Sequence, residues 1–254
     1  MKKLSVVIIS FNEEKNIGKC IESVKNLADE IIVLDSFSKD ETVRLAREKG
    51  AIVYQQVFSG YGAQKNAAAA LAGFDFVLFL DADEYPDDRL YRMIATEKQH
   101  GFPADGYIMN RLNNYCGQWI RHGSWYPDKK LRLINRQKGH WNNHLVHESI
   151  EMEKDTRIVY LEGNLLHSAY HSLEEHITKN NRYSSLSAQF LFEKGKRTNL
   201  FKIILNPFWA FVNSYLLRMG WMDGFNGFVI AINIAHLTFL KHTKLYQLRK
   251  TNSS

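Results

Sequence analysis

The chain has 254 residues, of which 45% are hydrophobic and 24% charged, with a formal net charge of +6. That size and balance suit one large α/β domain, or one domain with an appendage, and exclude a disordered or fibrous chain. Two cysteines build no disulfide framework, and the positive charge suits an anionic ligand or an anionic membrane surface rather than nucleic acid, for which the sequence carries no motif.

Residues 4–9 read as a first buried strand. The run is too short for a leader's hydrophobic region and passes straight into Asn12-Glu13-Glu14. Asn12 is placed to cap a first helix, in which Ile17, Cys20, Ile21, Val24 and Leu27 keep helical spacing. Residues 31–34 form a second strand ending at Asp35, and Ser38-Lys39-Asp40-Glu41 is a capping box for a second helix. A third short strand spans 52–57. After the loop Gly60-Tyr61-Gly62, the alanine-rich run 63–72 predicts a helix, because alanine costs least there. Residues 76–80 are a fourth strand. Strand and helix alternate throughout this half, which predicts a mostly parallel sheet with helices on both faces.

Beyond Asp83 the pattern loosens. Pro86-Asp87-Asp88 suits the first turn of a helix reaching about His100. Residues 106–110 and 130–135 look like strands around a long loop, 111–128, and 157–161 like another strand. Ser172-Leu173-Glu174-Glu175 is a capping box opening a helix to about Phe192. From Leu200 the composition turns apolar and aromatic, which sets the expected boundary: a domain over 1–198 and an amphipathic helical extension over 199–254. No stretch approaches the ~18 consecutive apolar residues of a clear spanning helix. The extension, with its interleaved Lys and Arg, fits helices lying in an anionic membrane interface, or else a hairpin packed on the domain or on a second subunit.

The fourth strand opens directly into Asp81-Ala82-Asp83-Glu84. Two carboxylates at the carboxyl end of a buried parallel strand repel unless a cation sits between them. Hard oxygen ligands there suit Mg²⁺ or Mn²⁺ on a substrate's phosphates. The bland alternative is a pair of solvated turn residues or helix caps. Asp35 ends a strand where its carboxylate can meet a base N–H, or simply cap a helix. Gln64, Lys65 and Asn66 come after a glycine loop at a helix start, where backbone N–H groups and a lysine can meet a diphosphate. His147-Glu148 pairs a histidine with a carboxylate, as general acid–base work or a surface pair would. His167 is a candidate ligand or a buried structural histidine. Trp125, Tyr126 and Trp141 offer faces for stacking on a sugar, or are core. Arg121, Lys129, Lys130 and Arg132, among these aromatics, are either contacts for an acidic acceptor or solvated strand residues.

Four segments in order, 5–13, 33–40, 62–66 and 79–84, resemble glycosyltransferase family 2, inverting enzymes of the GT-A fold. Trp125-Tyr126-Pro127-Asp128, Lys130-Leu131-Arg132-Leu133, Val146-His147-Glu148, His167 and Tyr170 resemble the bacterial lipopolysaccharide inner-core beta-glucosyltransferase branch. The resemblance implies a Rossmann-like GT-A sheet and a UDP-sugar donor. It further implies that Asp35 binds uracil, with Asn12 and Glu13 near the nucleotide, and that Gln64, Lys65 and Asp81 bind the donor. Asp83 and His167 would hold Mn²⁺ or Mg²⁺, and Glu148 would act as general base. Trp125, Tyr126, Trp141 and His147 would meet a lipid-linked or lipopolysaccharide-core acceptor. The implied location is cytoplasmic, peripheral on the inner face of the bacterial cytoplasmic membrane. Two rivals remain: a sugar- or nucleotide-binding module without catalysis, and a phosphatase of the haloacid dehalogenase type. The second also places Asp-x-Asp after a buried strand, but near the N-terminus and without Tyr85 in the position two residues after the second Asp.

Overall fold

The computed structural model describes residues 2–142 and 148–251. The chain divides into two compact units, one of residues 1–111 and 128–167, the other of residues 112–127 and 168–254. In chain order the elements are β1 (Leu4–Ser10), α1 (Ile17–Val24), β2 (Glu30–Asp35), α2 (Thr42–Glu48), β3 (Ile52–Gln55), α3 (Tyr61–Leu71), β4 (Phe76–Asp81), β5 (Glu84–Pro86) and α4 (Asp88–Gln99). They continue with β6 (Gly106–Tyr115), β7 (Gln118–Trp119), β8 (Asp128–Asn135), β9 (Gly139–Trp141), β10 (Ile150–Met152), β11 (Ile158–Tyr170), α5 (Leu173–Glu193), α6 (Leu200–Val212) and α7 (Gly224–Thr251).

In the first unit the sheet runs β3-β2-β1-β4-β8-β6-β11-β5. The pairs β2–β3, β1–β2 and β1–β4 are parallel, as the βαβ alternation predicts. From β4 onward the pairs with β8, between β8 and β6, and between β11 and β5 are antiparallel. Successive side chains of a strand point to opposite faces, and β1 shows the result. Leu4, Val6 and Ile8 pack with Ile17, Ile21 and Val24 of α1 and Leu90 and Ile94 of α4. Val7, with Ile32, Val77 and Phe79, packs against Ala68, Ala69 and Ala72 on and just after α3. Helices therefore cover both faces. α4 starts where expected: the Asp87 carboxylate accepts from the Leu90 backbone N–H at 2.8 Å.

The second unit joins the ends of β6 and β11, the short β7, and α5 to α7. Tyr115, Ile120 and Ile230 are its buried core, with Trp125 and Tyr170 packed against them. Ser172 caps α5, accepting from the Glu175 N–H at 3.1 Å, while the Glu175 carboxylate reaches one residue past the cap and accepts from the His171 N–H at 2.9 Å in place of the return bond of a capping box. Asn199 caps α6 in the same way, at 3.0 Å from the Lys202 N–H. The change of composition at 198/199 falls inside this unit, because α7 packs along both α5 and α6.

Candidate active site

Three parallel strands end side by side: β1 at Ser10, β2 at Asp35 and β4 at Asp81, with Ser10 in register with Asp35 and Ile9 with Asp81. Diverging loops at the carboxyl ends of parallel strands leave a crevice. Asp35 is fully buried there. Its carboxylate accepts from Ser10 Oγ at 3.0 Å, the Ser38 N–H at 2.8 Å, the Ser38 hydroxyl, and Gln55 Nε2 at 3.2 Å. A carboxylate has about four acceptor positions, so Asp35 is saturated and holds the loop after β2. Phe37 on that loop is half exposed with φ 61°, an outlier conformation for a bulky residue. Asn12 takes a left-handed φ of 55°, which Asn tolerates. It ties the first loop to the second: its N–H donates to Ser38 Oγ at 2.8 Å and its Oδ1 accepts from the Lys39 N–H at 2.9 Å. The Glu13 N–H likewise donates to Thr42 Oγ1 at 2.7 Å.

Gln64 and Lys65 come from the first turns of α3 and are both buried. Gln64 Nε2 donates to Ser36 Oγ at 3.2 Å. Lys65 Nζ lies 3.0 Å from Asp81 Oδ1 and 4.4 Å from the centroid of the Trp141 ring. Arg132, in the middle of β8, closes on the same carboxylate. Its Nη2 is 3.0 Å from Asp81 Oδ2 and 2.9 Å from Glu84 Oε1, and its guanidinium is 5.4 Å from the same indole. Glu84 is fully buried; its Oε2 accepts from the Asp81 N–H at 3.1 Å, and Arg111 Nη1 stands 3.5 Å from its Oε1. Burial pushes the Asp81 carboxyl up, but the facing Lys65 and Arg132 outweigh it and hold Asp81 well below the usual carboxylate range. Burial also opposes the Arg132 charge, and Glu84 and Asp81 overturn that effect and raise its pKa. Asp81 is thus committed to two cations.

Asp83 has different company. β11 runs antiparallel to β5 with His167 in register with Glu84, which brings His167 to the residue just before β5. The result is a contact of 3.2 Å between Asp83 Oδ2 and His167 Nε2, each side chain about a fifth exposed. Among the described residues no third His, Cys, Asp or Glu completes a cluster with them. One carboxylate and one imidazole fit a partial shell for Mn²⁺ or Mg²⁺, with the other positions left to a bound diphosphate and water.

Trp141 is fixed from both ends. Its backbone N–H and C=O bond to Asn66 Oδ1 and Nδ2 at 2.9 and 2.7 Å, and its ring meets Phe79 edge-on at 5.5 Å. A Cβ on Gly62 would lie 2.0 Å from the Asn142 carbonyl oxygen, so α3 and the end of β9 touch backbone to backbone. Asn142 and Ser149 then bridge the two sides of the segment between them, N–H to C=O at 3.0 Å and Nδ2 to Oγ at 2.9 Å. Glu148, next to Ser149, is half-buried. His147 lies outside the described residues. Trp125 belongs to the second unit, where it stacks on Tyr170 at 5.4 Å and meets Tyr115 edge-on at 5.7 Å. Tyr126, also of that unit, is partly exposed.

The structure brings Lys65, Asp81 and Trp141 together, and separately Asp83 and His167. Sequence reasoning missed Glu84 and Arg111 and read Arg132 as an acceptor contact or a solvated strand residue; it is buried beneath the site. The available signal was Arg132 between Leu131 and Leu133 in a strand with a buried core. Buried polar atoms without a hydrogen-bond partner occur on these same residues: Gln64 Oε1, Trp141 Nε1, and Arg132 Nε and Nη1.

Residues 5–153 match the family described as Glycosyl transferase family 2, a span that contains every residue named above from Ser5 to Glu148. An uncharacterized glycosyltransferase of Rickettsia typhi is 34% identical over 98% of this chain and 88% of its own length. The lipopolysaccharide core biosynthesis glycosyltransferase LpsC of Rhizobium meliloti is 33% identical over 96% of this chain and 92% of its own. In fold, the chain is similar to glucosyl-3-phosphoglycerate synthase of Mycobacterium tuberculosis, crystallised with phosphoglyceric acid. The TM-score is 0.50 with 19% identity, over 78% of this chain and 82% of that one.

Proposed function

This chain belongs to glycosyl transferase family 2 and is a glycosyltransferase. From that premise we propose that it inverts configuration while moving a hexose or N-acetylhexosamine from a UDP-sugar to a membrane-linked glycan of the lipopolysaccharide-core kind, with a divalent metal. The observation that carries the reading is the division of labour in Asp81-Ala82-Asp83. Asp81 is locked between Lys65 and Arg132, while Asp83 meets His167 at 3.2 Å in a partly open position. The relative LpsC acts in lipopolysaccharide core biosynthesis by its name, which supports the acceptor class.

In this reading Lys65 meets the donor's diphosphate and Gln64 its polar groups, while the Asp35, Asn12 and Ser38 network shapes the pocket for the uridine. A divalent cation held by Asp83 and His167 would stabilise the charge that develops on the leaving diphosphate. Glu148 accepts the proton of the acceptor hydroxyl as that oxygen attacks the anomeric carbon. Single displacement needs one base and leaves a β-linked product from an α-linked donor.

The test is turnover. The protein with Mn²⁺, UDP-glucose, UDP-galactose or UDP-N-acetylglucosamine, and a truncated lipopolysaccharide acceptor should release UDP only when donor and acceptor are both present. Glu148→Gln should lower that rate by about 10²–10⁴-fold and leave UDP affinity within about twofold. Unchanged turnover in Glu148→Gln removes Glu148 from the chemistry.

A further inference from the structure

The second unit carries an apolar surface that its own packing does not use. Along α6 only Ile203 is buried, while Leu200, Phe201, Ile204, Leu205, Phe208 and Trp209 are all more than half exposed. A helix on a soluble surface turns its polar side to water; α6 does the reverse. The face continues through the segment between α6 and α7, where Leu217 and Trp221 are exposed, into the first turn of α7, where Phe225 is 78% exposed. Between α6 and α7 an open groove of about 450 Å³, walled by Ile203, Ile204, Pro207, Ile232 and Phe239, extends it.

Charge on the same stretch is one-sided. After Glu193 the sequence has nine Lys and Arg residues and a single acid, Asp223. Asp223 is buried and occupied, accepting from the Arg121 and His122 backbone N–H groups at 3.1 and 2.8 Å and facing His122 Nδ1 at 3.1 Å. The exposed charge from residue 194 onward is therefore all positive, with Lys196, Arg197, Lys202 and Arg218 beside the apolar residues.

We propose that this face is a one-leaflet membrane anchor: α6 and the α6–α7 turn sink their apolar side chains among the acyl chains of an anionic bilayer, and the flanking cations meet the headgroups. Two segments, Leu200–Leu217 and Gly220–Thr251, are long and apolar enough to cross a bilayer, but α7 does not cross. Its other side is covered by α5: Asn180 Nδ2 donates to the Asn233 C=O at 3.2 Å, and Lys244 Nζ donates to Ser184 Oγ at 2.7 Å. Drawing α7 through the membrane would carry the exposed Glu174, Arg182 and Glu193 of α5 into lipid, where charges are costly. Insertion of one face leaves α5 in water.

The experiment is co-sedimentation of the full chain with phosphatidylglycerol-containing and with pure phosphatidylcholine vesicles. Tryptophan quenching by acyl-brominated lipid is read in parallel, with no sugar or nucleotide present, so the result is independent of the donor site. Phe201→Glu/Phe225→Glu changes two exposed side chains and should leave the near-UV spectrum and UDP binding as they are. The expected result is binding to anionic vesicles at least about tenfold tighter than to neutral ones, with quenching, and a loss of at least about tenfold in the double variant. Three results overturn the proposal. One is a chain that stays in the supernatant, including as a dimer dispersed by the double variant, which would make a second copy the occupant. Another is vesicle binding that the double variant leaves unchanged. The third is protease protection of the end of α7 inside sealed vesicles, which would mean spanning.

Discussion

Lys65 and Asp81 form an ion pair, Nζ to Oδ1 3.0 Å, with the ammonium buried under the Trp141 indole. Arg132 holds the other carboxylate oxygen at the same distance. The first acid of the Asp81-Ala82-Asp83 motif is therefore part of the site's floor, and the geometry of everything above it depends on three charges staying paired.

Arg132 is where that dependence is easiest to measure. Arg132→Met keeps the bulk but leaves fully buried Glu84 with the longer Arg111 contact as its ion pair, beside the Asp81 N–H, and leaves Asp81 paired with Lys65. Breaking a buried pair from one side costs about 3–5 kcal/mol. Urea unfolding should show a loss of that order, and UDP affinity should fall with it. A loss below about 1 kcal/mol would mean that the network is no better than a surface pair.

Gly62→Ala tests the backbone contact that seats Trp141. The new Cβ would sit 2.0 Å from the Asn142 oxygen, so α3 and β9 must separate. Overpacking of this kind costs about 1–3 kcal/mol. Because Lys65 is on α3 and Trp141 on β9, the variant should also shift tryptophan fluorescence. Unchanged stability and an unchanged spectrum would contradict the close approach.

A pH effect is expected from the second unit. Burial, reinforced by the nearby Lys179, holds the His176 imidazole down at about 4, against about 6.5 when unfolded. Between those values the unfolded chain binds a proton that the folded chain refuses, so stability rises with pH across the window. It is fully present above about pH 6.5, falls by up to about 3 kcal/mol on going down to pH 4, and levels off below. Thermal melts of His176→Phe should lose this slope while those of the parent keep it. Parallel slopes in the two proteins would assign the effect elsewhere.

The sequence made the parallel half of the fold readable because each strand there is a short apolar run followed by a helix-forming stretch. The caps it suggested do not form, since α1 and α2 start at Ile17 and Thr42 without a side-chain cap and Asn12 and Ser38 instead bond the two loops together. β11 was harder. Its sequence, from Ile158 to Tyr170, interrupts apolar residues with Glu162, Gly163 and Asn164, so only its first few residues read as strand. With it went the reason for the His167 position, which is the register of β11 against β5, a non-local pairing that no local pattern encodes. Asp83 and His167 were named as partners through family resemblance, whereas Arg132 was misjudged because a charged residue in a strand ordinarily faces water. The burial of Arg132 depends on Asp81 and Glu84, 51 and 48 residues away.

The measurement that tests the central claim most directly is calorimetric titration of UDP into the full chain, with and without Mn²⁺, for the parent and for Asp83→Ala and His167→Ala. The account predicts that Mn²⁺ tightens UDP binding by at least about tenfold, near 1.4 kcal/mol. The response should vanish in Asp83→Ala and weaken in His167→Ala, while Mn²⁺-free binding stays near the parent value. UDP binding that is absent under both conditions, or a Mn²⁺ response that survives Asp83→Ala, would contradict it.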